Sequence, residues 1–343
     1  MIKIRRDFFD YFLLNYPCME INDKVYGTVE ITEPVILELL ETSPLQRIKK
    51  VNQAGTQLVL THKRVTRWDH CVGVMLLLKK YGACLEEQIA GLLHDVPHTA
   101  FSHSADFIFR QGHTQGYHEK FLRKIIFASD IPKILEKYDF NPERIVDEHN
   151  FSLLEQELPA LCADRIDYSL RDMVRDSVIT REQIDQIFKV LTVLDNQFVM
   201  TDQEVALMYA HKYMNQCLTS WASPMDLTTY ELFGEMVRIA FAQKILVEED
   251  LFLTDEEFLE KLRAAKNKDI QKYLDLMTPN LKIEFNETDY DFDTRGKVRY
   301  IDPPIKTKNS IKKLSELNPE FAAEIPKFIA QVKKGYRIKI LSS

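Results

Sequence analysis

The sequence contains no run of the roughly 18 apolar residues that a membrane helix needs, and its start, MIKIRRDFFDYFLLNYP, offers only a short apolar stretch broken by charge. It signals neither export nor membrane insertion. No CxxC pair occurs either. The five cysteines, Cys18, Cys71, Cys84, Cys162 and Cys217, are an odd, scattered set, which argues against a disulfide framework and for a reducing, cytoplasmic setting. Glycine and proline are scarce, 10 and 13 among 343 residues, so collagen-like and low-complexity classes fall away. An excess of positive charge is also lacking. With 45 basic against 52 acidic residues the net charge is −7, a poor balance for a protein that lives by contacts to a nucleic-acid backbone.

What is present reads as mostly α. From about residue 33 to 280 apolar residues recur at three- and four-residue spacing, with Gly, Pro or polar breaks between segments. Helix starts are marked by Thr180 before REQIDQIF, by Thr201 before DQEVALMYAHKYM, and by the capping pair Thr254 and Glu257. Between them VLTVLDNQFVM alternates around Asp195 and Asn196, which predicts a small hairpin. Beyond residue 280 the texture changes: LKIEFNETDYDF, GKVRYIDPP, a helix near 316 to 334, then YRIKIL. The expected organisation is a helical body over 1–280 and a small α+β lobe over 281–343.

Seven of the nine histidines, at positions 62, 70, 94, 98, 103, 113 and 118, fall within 57 residues. Any one of them could be a satisfied core or surface group; the clustering needs a cause. His94 and Asp95 close the apolar helix EEQIAGLLHD, His70 heads the apolar WDHCVGVMLLL, and Asp164 lies within ELPALCADRIDYSLRDM. Polar groups at buried helix ends cost free energy unless something compensates them, and a divalent cation does so. Two imidazoles and two carboxylates, without a thiolate, suit Mg, Mn, Fe, Ni, Co or Zn in a site with positions open to water and substrate rather than a structural zinc. Asp164, Tyr168 and Asp172 recur every four residues, so one helical face can serve both metal and ligand.

In this order, His70, then His94-Asp95, then Asp164, the residues resemble the H…HD…D signature of the HD phosphohydrolase superfamily. The blocks PLQRIKKVNQAG, RWDHCVGV, AGLLHDVPHTAFSHSAD, YHEKF and ADRIDYSLRD are similar to its deoxynucleoside triphosphate triphosphohydrolase branch, which includes the sterile-alpha-motif HD proteins. The match covers a motif core of about 25–177, with a further fragment at KVRYIDPP. The resemblance implies an HD-domain helical body and a divalent metal held by His70, His94, Asp95 and Asp164. It implies that His98, His103 and His118 contact phosphate and move protons, with Asp106 orienting His103. It places Arg67 on a phosphate, Arg165 near the phosphates, Gln53 on the sugar, and Tyr168 beside the deoxyribose on the face that Asp172 shares. It further implies a nucleotide or other small phosphate ester as substrate, and a homo-oligomer.

Two departures stand out. The family's HD-x-GH turn reads HDVPH, so Pro97 removes a backbone donor and fixes φ. The stretch KYMNQCLTSWASPMD lacks the Arg, Tyr and Gln pattern by which triphosphohydrolases grip phosphate, leaving Lys212 or Trp221 as substitutes; Trp221 reads more readily as a core or interface aromatic. The leading expectation is hydrolysis of a deoxynucleoside triphosphate to nucleoside and triphosphate. A nucleotide monophosphatase or phosphodiesterase, and a nucleotide-binding regulator with little turnover, are the alternatives.

Overall fold

The computed structural model describes residues 18–56, 64–110 and 116–341; His62 and His113 lie outside them. As expected, the architecture is mostly helical, and more than half of its described strands lie beyond residue 280. An antiparallel ribbon, β1 (Met19–Asp23) and β2 (Gly27–Ile31), opens the described chain. Six helices build the functional region: α1 (Arg67–Lys80), α2 (Leu85–Leu93), α3 (Ser104–Ile108), α4 (Ala163–Arg175), α5 (Gln203–Gln216) and α6 (Pro224–Ala242).

Helix α1 starts at a reciprocal cap: Asp69 N donates to Thr66 Oγ1 (3.1 Å) and Thr66 N donates to Asp69 Oδ2 (2.8 Å). It is buried from Arg67 to Leu78 on nearly every face, because WDHCVGVMLLL carries almost nothing that needs water, and α2 and α4 pack against it. The expected cap at Thr201 shifts by one residue, since Asp202 Oδ1 accepts from Glu204 N (2.9 Å) and Val205 N (3.0 Å). A carboxylate satisfies two of the free amides of that first turn. At its C-terminal end α5 widens into a π-turn, Cys217–Trp221.

The expected hairpin is present as β3 (Leu191–Leu194) and β4 (Gln197–Met200). Asp195 and Asn196 both take positive φ, 49° and 56°, the twist that a two-residue hairpin turn demands and that Asn and Asp tolerate. Downstream come β5 (Lys282–Phe285), β6 (Phe292–Thr294), β7 (Pro304–Lys306), β8 (Ile311–Lys313) and β9 (Tyr336–Leu341), with a helix, Pro319–Lys334, before the last. They form two sheets, ordered β3-β4-β7-β8 and β5-β9-β6. In the first, β7 runs parallel to β4 through Met200 and Ile305, so the C-terminal segment pairs with a hairpin of the helical body. Ile301, Ile305, Leu314, Phe321 and Phe328 share one apolar cluster with α1 and α4, while Leu281, Phe292 and Ile340 join a second around α6. No described helix is long and apolar enough to cross a membrane.

Candidate metal centre

Four side chains from three helices and the turn after α2 converge on one point. His70, in the first turns of α1, sets Nε2 2.9 Å from Asp164 Oδ1 and 3.4 Å from Asp95 Oδ2. His94, at the C-terminal end of α2, brings Nε2 to 3.5 Å from Asp164 Oδ1 and 3.8 Å from Asp95 Oδ1. The other nitrogen of each ring is already engaged. His94 Nδ1 donates to Gly91 O at 2.8 Å, and His70 Nδ1 donates to Asp167 Oδ2 at 2.7 Å. Each Nε2 is thereby left to offer a lone pair to the centre. His94 Nε2 is buried without a hydrogen-bond partner among the described residues, an orphaned acceptor facing two carboxylates. Such a set repels itself unless positive charge stands within it. The demand shows in His94: burial works against its charged form, yet Asp95 and Asp164 drive the imidazole up to about 10. The residues present fit a divalent cation, and the four expected ligands are the four brought together.

Around this centre lies a support that sequence reading missed. Asp167 is fully buried and accepts from Arg171 Nη2 (2.8 Å), Arg171 Nε (3.0 Å) and Tyr26 OH (2.8 Å) besides His70. Arg171 Nη1 continues to Asp23 Oδ2 at 2.9 Å, so the N-terminal ribbon is tied through Asp167 to His70. A Cβ at Gly73 would overlap Arg171 Nη2 and Asp167 Oδ1. The one available signal was spacing: Asp167 and Arg171 stand four apart on α4.

The other histidines form a second group on the same cavity. His98 stacks on His118 with ring centroids 3.5 Å apart, and their Nε2 atoms stand 3.3 Å and 3.6 Å from Asp95 Oδ1. His103 meets His98 edge-on at 5.0 Å. Its Nδ1 lies 3.6 Å from Asp106 Oδ2, beyond hydrogen-bond length, and is unpartnered among the described residues, while Asp106 Oδ1 accepts from Tyr117 N at 3.0 Å. Burial, Arg67 and neighbouring imidazoles hold both His98 and His103 well below the usual histidine value, so both are neutral near pH 7.

The loop between them is held from several sides. Arg47 Nη2 donates to Val96 O (2.8 Å) and His98 O (2.6 Å). Phe101 and Ser102 sit at φ 57° and 49°, a costly conformation for non-glycine residues, fixed by Phe101 N donating to Asp255 Oδ1 (2.7 Å) and Ser102 Oγ to Asn52 O (2.7 Å). Pro97 fits without loss, because the turn is closed by Val96 N to Leu93 O and His98 N to Asp95 O.

A cavity of about 390 Å³ opens over both groups. Gln53, Arg67, Arg165, Tyr168 and Asp172 all line it, in differing states. Arg67 donates to Asp95 Oδ2 (2.5 Å), Ser102 Oγ (2.9 Å) and Gln53 O (3.1 Å). Arg165 is engaged by its own turn, donating to Ala160 O (2.6 Å), Gln156 O (2.9 Å) and Glu155 (3.2 Å). Tyr168 OH shares a hydrogen bond with Tyr213 OH, and Asp172 accepts from Arg175 Nη1 and from Trp221 Nε1, each at 2.7 Å. Trp221 lines the cavity while packing on the core; Lys212 does not line it and donates instead to Val178 O. Lys297, Arg299, Glu148, Glu155 and Asp226 also face this space, none of them singled out by sequence.

Burial pushes the Asp226 carboxyl up to about 7. A carboxyl protonated in the folded state but ionised in the unfolded chain contributes stability fully below the unfolded value, about 3.9, and loses it as pH rises through the folded one. The melting temperature is therefore expected to fall between pH 4 and pH 7 more steeply for the wild type than for Asp226→Asn, and the variant to be the more stable of the two at pH 8. Parallel pH–melting curves would contradict this.

The family model for the HD domain matches residues 67–172. The Bacillus subtilis protein YdhJ is 37% identical over 94% of this chain and 99% of its own. A Cordyceps militaris protein named metal-dependent phosphohydrolase is 31% identical over 85% of this chain and 86% of its own. A Danio rerio deoxynucleoside triphosphate triphosphohydrolase is 32% identical, over 27% of this chain and 17% of its own. In fold, a crystal structure of a hypothetical protein from Aquifex aeolicus superposes with a TM-score of 0.67 at 20% identity, over 90% of this chain and 94% of that one.

Proposed function

The chain belongs to the HD-domain metal-dependent phosphohydrolases, and from that premise we propose that it hydrolyses a phosphate ester of a nucleotide, with a deoxynucleoside triphosphate as the leading substrate. The observation that carries this reading is that the cluster of His70, His94, Asp95 and Asp164 and the group of His98, His103 and His118 meet across the single carboxylate of Asp95, and that all of them but His70 line one cavity. When bound by those four ligands, a divalent cation supplies Lewis-acid polarisation of a phosphoryl oxygen and acidification of water.

The chain's own groups do the rest. In the leading case the oxygen of water bonds to the α-phosphorus and the bond from that phosphorus to the 5′ oxygen breaks, releasing triphosphate and a nucleoside whose 5′ oxygen takes a proton. Neutral His103, with its open Nδ1, can receive a proton, and His98 and His118, stacked on one another beside it, can pass one to the leaving oxygen. Arg67, fixed by three acceptors, presents a guanidinium to the reacting phosphoryl group. Tyr168 and Gln53 bound the space in which a sugar would lie.

A second reading, a monophosphatase or phosphodiesterase, is favoured by the cavity's charge. Carboxyl groups outnumber cations on its wall, and two of the cations, Arg67 and Arg165, are bonded to Asp95 and Glu155. A screen of nucleotides and phosphate esters against Mg, Mn, Co and Ni, with released anions separated by ion chromatography, decides between them. Triphosphate as product supports the leading case; orthophosphate from a monoester, or a nucleoside monophosphate from a diester, supports the second. No turnover above an Asp95→Ala control on any nucleotide would overturn the proposal.

A further inference from the structure

One carboxyl on the cavity wall, Asp226, takes no part in the chemistry at the histidines. It stands in the first turn of α6, is 6% exposed and lines the cavity. Its one hydrogen-bond donor among the described residues is Ser223 Oγ, which reaches Oδ2 at 2.8 Å. Arg175, the cation whose charge is felt there, bonds instead to Asp172 (2.7 Å) and Asp176 (2.7 and 2.9 Å). Oδ1 is thus left without a donor among the described residues. Burying a carboxyl costs free energy unless a donor compensates it, and Asp226→Asn is expected above to be the more stable protein at pH 8. A group that weakens the fold and serves no neighbour belongs to a surface that meets a ligand.

The neighbours show which end of the cavity this is. Asp164 belongs to the first turn of α4, and Asp172 stands eight residues further along that helix, about 12 Å at 1.5 Å per residue. Asp172 accepts from Trp221 Nε1 (2.7 Å), just before the Ser223 cap of α6, and its charge acts on Asp226. Asp226 therefore marks the end remote from His70 and its partners. On the adjoining wall α6 meets the segment of Gln53: Tyr230 OH donates to Ala54 O (3.0 Å), and the Thr56 and Thr229 hydroxyls share a hydrogen bond (2.7 Å). Three donors of this end are already engaged, Trp221 Nε1 with Asp172, Tyr230 OH with Ala54 O and Tyr168 OH with Tyr213 OH. Two acceptors are not, Asp226 Oδ1 and the buried Gln53 Oε1.

We propose that Asp226 is a specificity-determining residue, whose carboxyl accepts a hydrogen bond from a hydroxyl or amino group on the non-phosphate half of the substrate; this rests on the phosphohydrolase reading above, in which that half is a nucleoside. The cavity is then polarised, with Arg67 and the imidazoles at the phosphate end and open acceptors at the other. An analogue without the donor leaves the buried carboxyl unpaired and is rejected for that reason.

Calorimetric titration at pH 8, above the value of about 7 to which burial pushes this carboxyl, tests the pairing without turnover. The probes are adenosine, guanosine, cytidine and uridine, the 2′,3′-dideoxy form of each, and purine riboside, which is adenosine without its amino group. If a hydroxyl is read, the wild type binds at least one ribonucleoside about tenfold or more tightly than its dideoxy form; if an amine is read, it prefers adenosine to purine riboside by as much. In Asp226→Ala that preference should shrink to about twofold or less, with the weaker probe of the pair bound as by the wild type. Asp226→Asn, which keeps an acceptor oxygen, should retain part of it. Wild-type protein that binds none of the probes or shows no preference, an alanine variant that keeps the preference, or one that loses both members of a pair alike would overturn the assignment. The two proposals fail separately. If no nucleotide is hydrolysed while the alanine variant loses the preference, the activity reading falls and the role of Asp226 stands. Where nucleotides are hydrolysed and the variant keeps the wild-type preference and KM, the reverse holds.

Discussion

Asp95→Ala is expected to purify as a folded protein that carries no divalent ion and hydrolyses no nucleotide, with activity at least about 10³-fold below the wild type, equivalent to about 4 kcal/mol of lost transition-state stabilisation. The reason is its position. The Asp95 carboxylate is 5% exposed and stands 2.5 Å from Arg67, 3.3 Å from His98, 3.4 Å from His70, 3.6 Å from His118 and 3.8 Å from His94. Burial works against its charged form, yet the neighbouring His98, Arg67 and His94 hold the carboxyl well below the ordinary carboxylate value, so it is ionised. Its loss removes a ligand and also leaves the Arg67 guanidinium buried without its carboxylate, a change that costs about 3–5 kcal/mol for comparable pairs. Metal analysis, melting and turnover on one preparation separate the outcomes. A variant that melts earlier yet keeps its metal and activity would reduce the cluster to a structural polar core.

Gly73→Ala should do nearly as much damage from outside the ligand set. In an exposed helix this exchange favours folding by about 1 kcal/mol. Here the added methyl would occupy the position of Arg171 Nη2 and Asp167 Oδ1, two atoms of a fully hydrogen-bonded buried network. Overpacking of this kind costs about 1–3 kcal/mol, and displacing Asp167 frees His70 Nδ1 from its acceptor. A loss of supporting carboxylates typically weakens metal affinity by about 10–100-fold. The expected result is therefore a lower melting temperature together with metal that dialyses away more readily. An alanine variant with wild-type metal affinity would show that His70 needs no such support.

The convergence of His70, His94, Asp95 and Asp164 was legible in the sequence because each sits near a helix end beside apolar residues, where an unpaired polar group has no cheap explanation. The hairpin at Asp195 and Asn196 was legible for a similar reason, since few residues accept that turn. Other parts left no local trace. Asp167 looked like one more polar residue of an amphipathic helix, because only packing brings Tyr26, His70 and Arg171 onto it. The cap at Asp202 was assigned one residue early, both Thr201 and Asp202 being competent caps. Phe101 and Ser102 are ordinary residues whose left-handed backbone is imposed by Asp255 and Asn52 from elsewhere in the chain. Arg165 was expected near phosphate, yet its donors serve the turn before α4. Lys297 and Arg299 belong to KVRYIDPP, a fragment the resemblance marks without giving its residues a role, and only the fold carries them to the cavity.

That remote origin has a consequence for how the protein is born. In a growing chain the last of the four clustered side chains, Asp164, is made well before Arg299, which at about 5–20 residues per second follows roughly 7–27 s later. The nascent polypeptide can thus bring the four clustered side chains together while one wall of the cavity is still unsynthesised, and the chamber is completed only when the C-terminal segment arrives.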